Sequence, residues 1–183
     1  MEKRHNYLAA GFLLLGVGIA GRAFLGVPEG VTMAELSLTM LLVIGALLLT
    51  RQGLASLVCA LACTALELVM CGSWVQEGGT LACIAPFLRL ADLWLLLGMV
   101  WGTLPAARRA VDDLKYTHST RLMLVCCAVL LAAHTVLRAV SLAMPASLAL
   151  NKASAGSFVV FSVLLLWFTV LMVKAYNVQR TKH

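Results

Sequence analysis

Charged residues are scarce in this sequence, and their scarcity excludes most soluble folds. Only 12% of the residues are Asp, Glu, Lys or Arg, while 62% are apolar. Soluble domains have about a quarter of their residues charged. In water, apolar surface on this scale would cause aggregation, whereas lipid accommodates it. We therefore predict an integral membrane protein whose main partner is the lipid bilayer.

The motifs of familiar enzyme classes are missing as well. The chain contains no HExxH zinc-protease motif, no GxSxG nucleophile elbow and no glycine-rich phosphate loop. Gly16, Gly18 and Gly21 do not form a nucleotide fingerprint, because no soluble βαβ unit surrounds them. We therefore predict no cofactor. An intramembrane enzyme that uses Glu67 and His134 is kept as a third alternative for function.

Six cysteines are present, but none is arranged as a CxxC motif or a zinc box. We predict no metal site. Cys71 and Cys83 flank one predicted outer loop, so a disulfide between them is a hypothesis that requires an oxidising compartment.

Six apolar stretches have the length of about 20 residues that a membrane-spanning helix needs. The second stretch is the shortest. The stretches are separated by Pro, Gly and charged residues, among them Pro105 and Pro145, and by the small-residue run 153–156. We predict an all-α fold, a polytopic bundle that forms a single transmembrane domain. Its predicted spans are 7–27, 33–50, 54–72, 80–104, 121–144 and 156–175, with a cytoplasmic connector at 105–120.

The distribution of Lys and Arg predicts the orientation. Ten of the fourteen basic residues lie in the alternate segments 1–6, 51–53, 105–121 and 174–183, where the last two include the basic residue at the edge of a span, and the opposite segments hold only Lys152. Basic residues collect in cytoplasmic loops, so both termini are predicted to be cytoplasmic, in a cell membrane. The same rule explains the net charge of +6 without a nucleic-acid partner. A cleaved signal peptide is the alternative for the first span, but its apolar run is long and continues beyond Arg22.

Ionisable side chains inside predicted spans are the candidate functional residues, because burying charge in lipid is costly. At about 1.5 Å per helical residue, these side chains lie in the outer half of the bilayer or near the midplane of the bilayer. These candidates come from four helices and are Arg22, Glu67, Arg89, Asp92, His134 and Arg138.

Helical spacing places several of these residues on shared faces. On the third span, small and polar residues recur every three or four positions on one face. On the fifth, His134 and Arg138 stack in the same way. Arg89 and Asp92 are three residues apart and are predicted to pair within one helix, and Pro86 is predicted to kink that helix. The predicted face of the third span consists of Ala60, Cys63, Thr64, Glu67 and Cys71.

Charge counting gives two interpretations of this layer. Three arginines against Glu67 and Asp92 leave one positive charge, which predicts an anionic ligand such as a carboxylate or a phosphate. Alternatively, Arg22 and Arg138 extend to the lipid headgroups and the other charges pair helices. The first interpretation predicts a small-solute transporter or a substrate-binding transport subunit, and the second a non-catalytic accessory protein. Because no nucleotide-binding motif is present, active transport requires a partner ATPase or an ion gradient.

Overall fold

The computed structural model describes residues 2–25, 32–50, 54–71, 84–111 and 114–181. Within these residues the chain is all-helical and forms six α-helices, as predicted. Their bounds are α1 Glu2–Leu25, α2 Met33–Leu48, α3 Ala55–Met70, α4 Ala85–Val111, α5 Leu114–Ala143 and α6 Leu148–Thr181.

Four of these helices, α1, α4, α5 and α6, are long and apolar enough to cross a membrane. Helices α2 and α3 are also apolar but have 16 residues each. At 1.5 Å per residue a helix of that size is about 24 Å long, less than the hydrocarbon thickness of about 30 Å. The second span, predicted to be the shortest, is thus a short helix in the structure, and the third has the same length.

Two helices extend beyond the spans predicted for them. The fourth helix continues through Pro105 to Val111, so the first part of the predicted connector is helical. Leu104, Ala106 and Ala107 are buried around the proline, and tertiary packing of this kind outweighs the helix-breaking tendency of one residue. The sixth helix begins at Leu148, so the run 153–156 lies inside it. Alanine is the best helix former, and a run of small residues is therefore a poor stop signal.

Helix α1 lies between α2 and α6, while α3 packs against α4 and α5 packs against α6. The most buried of the four long helices is α4, which also contacts α6 and α5; α5 is the least buried. One continuous apolar core joins these elements. Its largest fully buried side chains include Phe12, Leu15, Ile19, Leu42, Leu96, Met99, Phe161, Leu165 and Phe168.

The crossing of α1 and α2 depends on two facing glycines. A Cβ atom added at Gly45 would lie 3.0 Å from the Gly11 carbonyl oxygen and 3.1 Å from the Leu15 amide nitrogen. Contacts this short with backbone atoms cannot be relieved by rotating a side chain. Small residues at such positions let helix backbones approach closely, which is how helices pack in lipid.

Apolar side chains also cover the outer surface of the bundle. Large examples on different helices are more than half exposed, which water would penalise and acyl chains would not. They include Phe24, Val58, Trp101, Val129, Val136 and Val163.

Candidate functional site

Five charged side chains from four helices meet at one end of the bundle, where α1 and α3 end and α2 and α4 begin. We call them the ionic network. All five residues are at most 5% exposed. The members are Arg22 of α1, Glu35 of α2, Glu67 of α3, and Arg89 and Asp92 of α4.

The Arg22 guanidinium bridges three helices. Its Nη1 donates to Glu67 Oε1 and its Nη2 donates to Asp92 Oδ2. Nη1 also lies 3.7 Å from Glu35 Oε1. Only 2% of the Arg22 side chain is exposed, so it does not extend to the headgroup region. The headgroup interpretation is therefore wrong for Arg22, because its charge is compensated by buried carboxylates.

Arg89 makes a second bridge. Its Nη1 donates to Asp92 Oδ2 over 3.1 Å, which confirms the predicted pairing within one helix. Its Nη2 donates to Glu35 Oε1 on α2. Helix α4 begins at Ala85, so Pro86 lies in the first turn, where proline is tolerated and leaves no internal carbonyl without a donor. The prediction of a kink at Pro86 is therefore wrong.

Sequence reasoning did not count Glu35 among the ionisable candidates, although the predicted second span, 33–50, contains it. The residue lies in the first turn of α2 and is fully buried. Its Oε2 accepts from the Thr32 amide over 3.1 Å, and the Thr32 hydroxyl accepts from the Glu35 amide over 3.2 Å. This is a capping box, and the T-x-x-E pattern before an apolar run is the signal that would have placed Glu35 at a helix start.

The charge balance of the network differs from that of the predicted layer, because Glu35 belongs to the network and Arg138 does not. Among the described residues, the network contains two arginines and three carboxylates, so full ionisation leaves one negative charge. Two carboxylate oxygens, Glu67 Oε2 and Asp92 Oδ1, are buried and have no hydrogen-bond partner among the described residues. Burying an isolated charge away from water costs roughly several kcal/mol, even after the surrounding protein has relaxed.

The predicted interior face of the third span is largely confirmed. Ala60, Cys63, Thr64 and Glu67 of α3 are all buried, and Cys71 at its end is half-buried. The Cys63 thiol donates to the Asp92 carbonyl oxygen over 3.7 Å, which joins α3 to α4 beside the network.

An open cavity of about 330 Å³ lies next to the network, between α4, α5 and α6. Its polar lining comes from two arginines, a histidine, an amide and a serine, and its apolar lining from leucine, proline and phenylalanine side chains. Arg89 lines this cavity and also belongs to the network, so one side chain connects the two. The lining residues are Pro86, Arg89, Leu90, Leu93, His134, Arg138, Asn151, Ser154, Ala155 and Phe158.

His134 is buried and bonded to α6. Its Nδ1 lies 3.1 Å from the Ser154 carbonyl oxygen and 3.0 Å from Ser157 Oγ. A carbonyl only accepts, so we assign the proton of the neutral ring to Nδ1, which leaves the lone pair on Nε2. The ring also lies 5.7 Å, centre to centre, from that of Phe158. This arrangement matches a histidine that is hydrogen-bonded to another helix.

Arg138 is separate from the network. It lies one turn after His134, is half-buried, and has no carboxylate within salt-bridge distance among the described residues. The six sequence candidates thus divide into two groups. Arg22, Glu67, Arg89 and Asp92 form the network with Glu35, while His134 and Arg138 face the cavity.

The hypothesis of a Cys71–Cys83 disulfide falls on Cys83, which lies outside the described residues. Within the described part of the chain, no group of three or more His, Cys, Asp or Glu side chains is placed to hold a metal ion.

Comparisons with known protein families, with curated proteins and with solved structures return no match for this chain.

Proposed function

We propose that this chain is a multi-pass membrane protein that binds a small anionic solute in the cavity between α4, α5 and α6. It acts as a transporter or as the substrate-binding subunit of a transport system. In this proposal all six helices cross the bilayer, both termini are cytoplasmic, and the cavity faces the outer half of a cell membrane. The observation that carries the proposal is Arg138, a cation at a cavity with no carboxylate partner among the described residues.

The lining supports an anion with an apolar part. Arg138 and the Asn151 amide supply donors to the cavity, while Leu90, Leu93 and Phe158 supply apolar surface. Guanidinium groups bind carboxylates and phosphates in a bidentate manner. A volume of about 330 Å³ is at the small end of ligand pockets. We therefore favour a small monocarboxylate as the solute class.

A second candidate is the accessory role, in which the charges only hold helices together. The observation in its favour is that the carboxylates of the network already compensate Arg22 and Arg89. For the same reason Arg89 is a weaker candidate for the anion receptor than Arg138. The two candidates differ in what they require of Arg138, because helix pairing by the network does not involve it.

Thermal unfolding of the detergent-purified protein tests the proposal. The ligands are acetate, benzoate, inorganic phosphate and the neutral benzamide. A ligand that binds only the native state, at a hundred times its dissociation constant, adds about 2.7 kcal/mol to the free energy of unfolding. We expect benzoate to raise the unfolding temperature and benzamide to leave it unchanged.

The matched control uses two arginines of α5. We expect Arg138→Gln to abolish the benzoate shift and Arg121→Gln, near the other end of the same helix, to retain it. A phosphate shift without a benzoate shift would identify a phosphate group as the ligand. Vesicles with and without anionic lipid would then separate a headgroup from free phosphate. If none of the ligands raises the unfolding temperature of the wild-type protein, the accessory role is favoured.

A further inference from the structure

When all its members are ionised, the ionic network carries one uncompensated negative charge in the buried interior of the bundle. Its three carboxylates outnumber its two arginines, and all five side chains are at most 6% exposed. A buried ionisable group without a compensating charge changes its protonation state rather than remain charged. The cheapest compensation is a proton, because it neutralises one carboxylate without requiring space in a packed interior.

The contacts identify the carboxylate that is compensated least. Asp92 Oδ1 also has no hydrogen-bond partner among the described residues, but Oδ2 accepts from both guanidiniums, so this carboxylate contacts two positive charges. Glu35 accepts from Arg89 at one oxygen and from a backbone amide at the other. Glu67 contacts one guanidinium through Oε1, while its buried Oε2 has no hydrogen-bond partner among the described residues. The Thr39 hydroxyl lies near Glu67 but donates its one proton to the Glu35 carbonyl oxygen over 3.1 Å.

The surroundings of Glu67 favour a proton over a metal cation. Arg22 of α1 contacts it directly, and Arg89 contacts the same Asp92 oxygen as Arg22, so a cation would meet two guanidinium charges. Around it are Glu35 and Thr39 of α2, Asp92 of α4, and the thiols of Cys63 and Cys71 from its own helix. The carboxylates among these groups make the surplus, and the hydroxyl and thiols add no positive charge.

We propose that the ionic network binds one exchangeable proton at Glu67, and that Arg89 couples this proton to the anion in the cavity. The coupling, though not the proton site itself, rests on the proposed function. When an anion enters the cavity it attracts the Arg89 guanidinium, which lines the cavity and contacts both Glu35 and Asp92. Weaker contacts with Arg89 leave the carboxylates less compensated, so the proton is held more tightly. Solute and proton therefore bind together, which defines a proton-coupled anion carrier.

Infrared spectroscopy of the purified protein tests the proton site directly. A protonated carboxylic acid has a C=O stretch that an ionised carboxylate lacks. We expect this band from wild-type protein at neutral pH, and we expect it to disappear on alkaline titration. Glu67→Gln should remove the band, and Asp112→Asn, a change between α4 and α5 in the sequence, should retain it.

Isotope labelling covers the case in which Glu67→Gln does not fold. In wild-type protein, ¹³C-labelled glutamate should shift the band and ¹³C-labelled aspartate should not. A band that shifts with aspartate, or no band from folded protein at neutral pH, would overturn the assignment. So would a band that is absent in sodium chloride and present in choline chloride, because a sodium ion would then occupy the site.

Benzoate binding at several pH values separates the two proposals. If benzoate binds and its apparent affinity falls tenfold per pH unit in the range where the band disappears, coupling is supported. Unchanged affinity across that range would refute coupling and leave the anion site intact. An infrared band without binding of any anion would refute the proposed function and leave the proton site standing.

Discussion

The Arg22 guanidinium of α1 contacts the Glu67 carboxylate of α3, although these two helices make little or no backbone contact with each other. The same is true of α1 and α4, which Arg22 joins through Asp92, and of α2 and α4, which Arg89 joins through Glu35. Charged side chains thus connect the α1–α2 pair to the α3–α4 pair at one end of the bundle.

The two partners of this contact should respond differently to loss of charge. Arg22→Gln leaves one arginine among three buried carboxylates, and we expect a loss of about 3–5 kcal/mol, as when one partner of a buried pair is removed. Glu67→Gln leaves two arginines with two carboxylates and keeps a hydrogen-bonding amide, so we expect a loss of about 1 kcal/mol or less near pH 4, where the unfolded glutamate also carries its proton. This loss shrinks as pH rises, because only the wild-type protein then becomes less stable. Chemical unfolding in detergent measures both, with the exposed Arg180→Gln as the neutral control.

Stability should depend on pH through Glu67. An unfolded, solvated glutamate loses its proton above about pH 4.3, whereas the native network is proposed to keep it. The native state then binds one more proton, so the free energy of unfolding falls as pH rises, by about 1.4 kcal/mol per pH unit. The fall ends at the pH where the native proton is lost. The difference between wild type and Glu67→Gln, measured from pH 6 to 8, isolates this effect; a constant difference would contradict it.

One substitution should have opposite effects at two glycines. Gly45→Ala places a methyl group against backbone atoms of α1, and we expect it to separate α1 from α2 at a cost of about 1–3 kcal/mol. Gly156→Ala on α6 meets no atom within 4 Å, so we expect a gain of about 0.5–1 kcal/mol from helix propensity. Equal effects at both sites would show that the α1–α2 crossing tolerates a wider separation.

Labelling with a membrane-impermeant thiol reagent distinguishes six spans from four. In a cysteine-free variant, Gln52→Cys lies between α2 and α3, and Arg180→Cys lies near the end of α6. If α2 and α3 both cross the bilayer, the two positions react from the same side, and Lys152→Cys reacts from the other. If α2 and α3 do not cross, position 52 should instead react together with position 152.

The helices themselves follow from local chemistry. Apolar runs bounded by turn residues predicted six of them, because a segment in lipid satisfies its backbone hydrogen bonds by forming a helix. The face of α3 that carries Cys63 and Glu67 followed from the spacing of three and four residues, and the pairing of Arg89 with Asp92 from a separation of three. The bounds near Pro105 did not follow, because burial of the neighbouring residues decides whether a proline ends a helix.

The membership of the ionic network was decided by tertiary structure alone. Glu35 meets Arg89 across 54 residues of chain, and no local pattern fixes the rotation of one helix relative to another. The rotation of α5 directs Arg138 to the cavity, away from the carboxylates. Because Glu35 belongs to the network and Arg138 does not, the predicted surplus of one positive charge becomes a surplus of one negative charge. The sequence therefore determined which charges enter the bundle, while helix packing determined which of them compensate each other, because a Coulomb interaction depends on distances that only the folded chain sets.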